Sequence, residues 1–230
     1  HTFAEVVELL YHSSGRVVVT GIGKSAAIGQ KIVATFNSTG TPALFMHAAE
    51  ALHGDLGMIQ KNDVVICISK SGSSPEIKAL VPLILKGKNP LVGIVGDLKS
   101  FLAEKSNFVL DTAVKAEACP NNLAPTTSTT AQLVMGDALA ICLMELSGFK
   151  AEDFARSHPG GALGKALNIQ LGHLLQPHKK PAVTPDTPIK AVISEISTKL
   201  VGATAVVQDQ QVVGVITDGD LRRMMQSSDE

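Results

Sequence analysis

Two segments constrain this chain more than any others: Val17–Val18–Val19–Thr20–Gly21–Ile22–Gly23–Lys24–Ser25 and Val64–Val65–Ile66–Cys67–Ile68–Ser69–Lys70–Ser71–Gly72–Ser73–Ser74–Pro75–Glu76–Ile77. Each is an apolar β run that stops in glycine and hydroxyl residues and then opens a helix. Hydroxyls, backbone N–H groups and a helix N-terminus together form an anion cradle at the carboxyl edge of a parallel sheet. One such turn is weak evidence. Two, spaced as successive βα units would place them, point to a site for a phosphorylated small molecule on one edge of one sheet.

With 230 residues there is room for one ordinary domain and a smaller module. A formal net charge of −1 gives no nucleic-acid footprint, so no nucleic-acid partner is expected. Three cysteines cannot all pair within the chain. Cys67 and Cys142 sit in apolar runs and Cys119 lacks metal-ligand spacing, which reads as a reducing, cytoplasmic protein whose thiols have no structural role. The most apolar helical stretch, Ala131 to Leu146, carries Asp137 and Glu145, which makes it a core helix and not a membrane span. No signal peptide is visible. The chain opens inside a helical pattern, Phe3, Val6, Val7 and Leu10, as though upstream residues were absent.

The first 150 or so residues alternate strand and helix. Strands are expected at Val17–Thr20, Ala43–Phe45, Val64–Ser69, Leu91–Val95 and Phe108–Leu110, and helices at Ser25–Ser38, Pro75–Lys86, Lys99–Lys105 and Thr129–Leu146. Pro75 stands near a helix start, and Gly40, Gly87 and Gly148 follow helix ends. The expected fold class is α/β: five parallel strands in an α/β/α sandwich of flavodoxin-like form. Phe154–Gly172, containing Ser157–His158–Pro159–Gly160–Gly161–Ala162–Leu163–Gly164, reads as a loop-rich connector. Beyond it Leu174–Leu175, Val183–Pro188, a helix from Ile189, Thr204–Val207, Val212–Thr217 and a helix from Gly219 suggest a short β-α-β-β-α unit.

Gly214–Val215–Ile216–Thr217–Asp218–Gly219–Asp220–Leu221 closely resembles a CBS motif, a module that occurs in pairs, so a second copy is expected past Glu230. The first 172 residues resemble a sugar isomerase (SIS) domain. SIS followed by CBS, with Gly21–Ile22–Gly23–Lys24–Ser25, His53–Gly54–Asp55–Leu56–Gly57 and the Ser157–Gly164 run, is similar to the arabinose-5-phosphate isomerase family. The resemblance divides the chain into a SIS domain with connector (1–172) and a first, partial CBS module (173–230). It implies an aldose–ketose exchange between D-arabinose 5-phosphate and D-ribulose 5-phosphate, supplying the octulosonate sugar of lipopolysaccharide or capsule. It also implies a homotetramer and leaves room for a nucleotide or sugar-nucleotide ligand on the CBS module. No redox cofactor is expected, because Gly21–Ile22–Gly23–Lys24 is too short for a dinucleotide fingerprint.

Such an exchange needs ring opening by an acid/base, a base that moves a proton between C1 and C2, and positive charge near the enediolate oxygen. Lys24, Glu76, Glu117 and His158 lie in loops where such groups belong, and the family's catalytic positions carry over onto these four. A lysine at a helix start opposes the dipole, so Lys24 calls for a functional reason, whereas Glu76 suits that position with or without chemistry. Glu117, among Ala116, Ala118, Cys119 and Pro120, is expected to be desolvated, with a raised pKa that suits a base at C2. His158 rests on the resemblance alone. His53 either opens the sugar ring or is satisfied at a helix C-terminus. His47 corresponds to a zinc-sensitive position, where a metal would be inhibitory. Phosphate binding is expected from Ser69, Ser71, Ser74, Thr127 and Ser128, the last two in a Thr126–Thr130 run that also reads as an N-cap cluster. Gly40 and Thr41, and Ala113, Val114 and Lys115, map to further substrate contacts. A hexulose-phosphate isomerase and a non-catalytic sugar-phosphate sensor remain as alternatives.

Overall fold

The computed structural model describes residues 2–161, 164–165, 169–170, 172 and 179–227. The chain divides into two compact units, His1–Asn168 and Ile169–Glu230. In the first, α1 (Thr2–His12) leads into β1 (Val17–Gly21), α2 (Lys24–Ser38), β2 (Ala43–His47), a short α3 (Ala48–Ala51), β3 (Val64–Ser69), α4 (Pro75–Lys86), β4 (Leu91–Val95), α5 (Phe101–Lys105), β5 (Phe108–Asp111), α6 (Thr127–Leu146) and α7 (Ala151–Ser157). All strand pairs are parallel, in the order β2-β1-β3-β4-β5. The order reverses between β1 and β3, the point where open α/β sheets take ligands.

Both faces of the sheet are covered, which is why its strands are near-continuous apolar runs. Val17, Val19, Ile66, Ile68, Val92 and Ile94 face α1, α2 and α6, while Val18, Val65, Cys67, Leu91 and Val95 face α3, α4 and α5. Each fully buried Val, Leu or Ile contributes about 1.5–3 kcal/mol relative to exposure, and this two-sided core holds the strand ends in place. Helix α6 is long and apolar enough to cross a membrane by length and composition alone. Here its Leu139, Ala140 and Leu143 belong to the core beside α2, with Lys31 Nζ 2.6 Å from Asp137 on the outside. Gly136 allows that close approach, since a Cβ there would run into the Ile32 side chain.

Strand positions follow the sequence expectation, and the differences lie at helix ends. Helix α5 starts at Phe101 instead of Lys99 because the Ser100 hydroxyl accepts from the Ala103 amide at 3.3 Å, an N-cap. Helix α6 starts at Thr127 instead of Thr129. The connector expected from Phe154 begins as helix: α7 runs to Ser157, its start fixed by Asp153, which accepts from the Lys150 amide at 3.0 Å. Helix α3 and the 3-10 turn Asp55–Met58 occupy a stretch whose pattern is too short to assign. Ala162–Leu163 and Leu174–Leu175 lie outside the described residues.

The second unit has β6 (Ala182–Val183), α8 (Ile189–Lys199), β7 (Ala203–Gln208), β8 (Gln211–Thr217) and α9 (Asp218–Ser227). Strand β6 pairs parallel with β7, and β7 pairs antiparallel with β8. Asp209 and Gln210, both with positive φ (50° and 64°), make the two-residue hairpin turn. Thr217 starts α9 with a reciprocal capping box: its amide donates to Asp220 Oδ2 at 2.9 Å and the Asp220 amide donates back to its hydroxyl at 3.3 Å.

Candidate active site

The carboxyl edge of the five-stranded sheet gathers most of the expected residues. Lys24 is the first residue of α2, reached through Gly23 at φ 61°, a left-handed turn that favours glycine. It is exposed and, among the described residues, has no ion-pair or hydrogen-bond partner. His47 ends β2 beside Gly21 of β1, and its Nδ1 accepts from the Ala49 amide at 3.3 Å, so the ring caps α3. His53 follows α3 and is exposed. Among the described residues no group of three or more His, Cys, Asp or Glu side chains converges.

After β3 the chain folds into a tight turn. The Ser69 hydroxyl is buried and accepts from the Gly72 amide at 3.0 Å, and the Ser73 hydroxyl accepts from the Phe101 amide at 3.1 Å. Ser69 therefore shapes the turn as an acceptor, and its own O–H is left to donate. Gly72 has φ 59°, and the Ser100 hydroxyl occupies the place a Cβ would take. Ser71 is exposed at the turn's tip. Ser74 precedes α4, and its hydroxyl oxygen is buried with no hydrogen-bond partner. Pro75 brings no N–H, and the Glu76 and Ile77 amides are among those a helix start leaves without an intrahelical acceptor. A buried, unpartnered hydroxyl beside a bare helix start is the arrangement an anion completes. Glu76 is half-buried, and its carboxylate has no partner among the described residues.

Glu117 departs from expectation. Its side chain is fully buried, with Lys70 Nζ 2.6 Å from Oε1. Ser128 donates its hydroxyl to that same oxygen at 2.5 Å, and Oε2 accepts from the Thr126 and Ser128 amides at 2.8 and 3.2 Å. Sequence context predicts a raised pKa from burial, but the Lys70 ammonium first, then the Ser128 hydroxyl and the Thr126 amide, hold the carboxyl far below the ordinary glutamate range. A carboxylate with its lone pairs so engaged makes a poor base. Ser128 belongs to the same network, its hydroxyl and amide both donating to Glu117, while the neighbouring Thr127 is exposed. Ala113, Val114 and Lys115 lie in the same loop after β5, exposed or half-buried. Lys70 and Asn122, whose Oδ1 accepts from the Glu117 amide at 2.6 Å, are members of this network that sequence reasoning misses. A lysine directly after a strand end is the available signal for Lys70; no pattern marks Asn122.

Gly40, Thr41 and His158 are not brought to this edge. Gly40 and Thr41 precede β2 at the amino edge, where Thr41 donates its amide to the Phe36 carbonyl at 2.8 Å. A Cβ on Gly40 would lie 2.8 Å from the Phe149 ring, which follows the far end of α6. Helix α6 carries the chain about 30 Å from the Glu117 network to that end, and α7 then spans only about 10 Å. The His158 ring stacks on Phe154 at 3.9 Å between centroids, and Nδ1 lies 3.0 Å from the Phe154 carbonyl oxygen.

Residues 9–142 match the SIS domain model and residues 172–227 the CBS domain model. Arabinose 5-phosphate isomerase KdsD of Francisella tularensis is 49% identical over 229 residues, covering 98% of this chain and 70% of that protein. KdsD of Escherichia coli K12 is 47% identical over 224 residues, covering 96% and 68%. Among solved structures, a protein of E. coli CFT073 in complex with arabinose 5-phosphate superposes with a TM-score of 0.67 at 46% identity, covering 68% of this chain and 84% of that one.

Proposed function

This chain belongs to the SIS family, in its SIS–CBS branch of arabinose 5-phosphate isomerases, and we propose that it interconverts D-arabinose 5-phosphate and D-ribulose 5-phosphate through an enediol. The observation that carries this reading is the carboxyl edge, where an uncommitted lysine, Lys24, and an uncommitted carboxylate, Glu76, share a sheet edge with two hydroxyl-rich helix starts. Phosphate held at the starts of α4 and α6, by Ser71, Ser74, Thr127 and free amides, leaves the sugar carbons toward the other loops. The base takes the C2 proton of the open-chain aldose while the C1 carbonyl oxygen gains a proton. Protonation at C1 and loss of the C2 hydroxyl proton then give the ketose, so the reaction is redox-neutral within one molecule.

Glu76 is assigned as the proton carrier in place of Glu117, since a base needs a free lone pair. Lys24 offsets the enediolate charge. His53 opens the furanose ring. Gly40, Thr41 and His158 reach the site of a neighbouring subunit, which fits the homotetramer that the resemblance implies. The product would serve octulosonate synthesis in the cytoplasm, and the CBS module would take a nucleotide-type regulatory ligand. A pure sugar-phosphate sensor would need the hydroxyls and amides but neither free charged group. Incubating the chain with arabinose 5-phosphate, ribose 5-phosphate and hexulose 6-phosphate in parallel tests the assignment. Conversion of the first alone is expected, and preference for another sugar would overturn it.

A further inference from the structure

We propose that Lys70 is a positioning residue for this site: its ion pair with Glu117 locks the turn after β3 to the start of α6 and so sets the spacing of the two helix starts that hold the substrate's phosphate. The inference rests on the isomerase reading for its substrate and on three features of the chain for its geometry. First, the lysine stem is fixed before its head group does anything. The Lys70 carbonyl accepts from the Gly96 amide at 3.1 Å, and a Cβ on Gly96 would lie 3.2 Å from Lys70 Cγ, so the stem packs on a residue that has no side chain to displace it.

Second, the acceptor is rigid. The Glu117 side chain is fully buried whereas that of Lys70 is 49% exposed, so the carboxylate, held by Ser128 and Thr126, is the fixed member of the pair. Third, the two ends of the tie are adjacent to the phosphate elements themselves. Lys70 directly precedes Ser71, in the turn that leads to Ser74 and α4. Thr126 and Ser128, which clasp the carboxylate, flank Thr127 at the start of α6. Glu117 is thus the common acceptor through which one helix start is registered against the other. Without Lys70 a buried carboxylate would keep only neutral donors, and the turn after β3 would lose its ionic link to the loop. Two anchor points held at a fixed spacing bind a phosphate without paying an ordering cost; two that drift apart do not.

The same lysine could instead grip phosphate directly, and the experiment separates the two roles. Affinity for arabinose 5-phosphate is measured by titration calorimetry, alongside KM and kcat, for wild type, K70M, E117Q, K70M/E117Q and K70R, with K70Q standing in should K70M not fold. If Lys70 positions, K70M weakens binding about tenfold, with KM rising in step and kcat within about threefold of wild type, and E117Q weakens binding to a similar degree. The double variant is then no worse than either single one, and K70R recovers most of the loss. The proposal is overturned if K70M leaves affinity unchanged, or if K70M weakens it while E117Q does not, since a lysine freed from its partner would still serve as a direct phosphate ligand. Binding without turnover in the wild type would instead sink the isomerase reading, and the affinity comparison would still decide the role of Lys70.

Discussion

Gly40 and Phe149 meet at the amino edge of the sheet, so closely that a Cβ on Gly40 would fall 2.8 Å from the phenyl ring. The contact ties the turn before β2, which carries Thr41, to the segment that leads into His158. On the proposed isomerase reading, a site that uses both Lys24 and His158 draws one of them from a neighbouring subunit. Mixing inactive K24A and H158A proteins under conditions of demonstrated subunit exchange should therefore restore part of the activity, because some mixed sites contain both wild-type residues. No recovery would mean that each chain works without its neighbour's His158.

Replacing the proton carrier separates the two carboxylates. E76Q should lower kcat at least about a hundredfold with KM little changed, the signature of an interaction made in the transition state. E117Q should act chiefly on KM. Steady-state kinetics on the two variants checks this, and the reverse pattern would return the role of base to Glu117.

How much of this was legible in the sequence depends on range. The strands were readable because apolar runs covered on both faces need no partner to be recognised, and both βα turns announced themselves through Gly23, Ser71 and Pro75. The Glu117 environment was not. Its neighbours in sequence, Ala116, Ala118 and Pro120, suggest an apolar pocket, but the groups that set its charge are Lys70, 47 residues away, and Ser128, 11 residues on. His158 was easier to place, since the Thr129–Leu146 helix pattern already separates it from the βα turns of the carboxyl edge. Local pattern fixes elements; charge state and adjacency are tertiary.

The Glu117 network also makes a signed prediction about acid. Its carboxyl titrates lower in the folded chain than its ordinary value of 4.5, so it stabilises the fold at neutral pH, and that contribution fades as pH falls and the unfolded chain takes up the proton first. Thermal midpoints of wild type and E117Q should therefore differ most at neutral pH and converge below about pH 4.5. A gap that stays constant down to acid pH would show that the carboxylate is not held by its charge.

The cysteines should differ in reactivity. The Ala124 and Leu123 amides, which donate to Cys119 Sγ at 3.1 and 3.0 Å, lower its pKa, while burial pushes Cys67 up to about 12. Iodoacetamide at neutral pH should label Cys119 well before Cys67, as read by peptide mass spectrometry. Equal labelling would contradict the amide nest around Cys119.

The central claim is an enediol isomerisation at the carboxyl edge, and proton NMR of arabinose 5-phosphate with the protein in deuterated water tests it most directly. Ribulose 5-phosphate should appear while deuterium enters C2 of the remaining aldose and C1 of the ketose, because the abstracted proton exchanges on the base before it is returned. An unchanged aldose spectrum, or a ketose that carries the original C2 hydrogen undiminished at C1, would contradict the account.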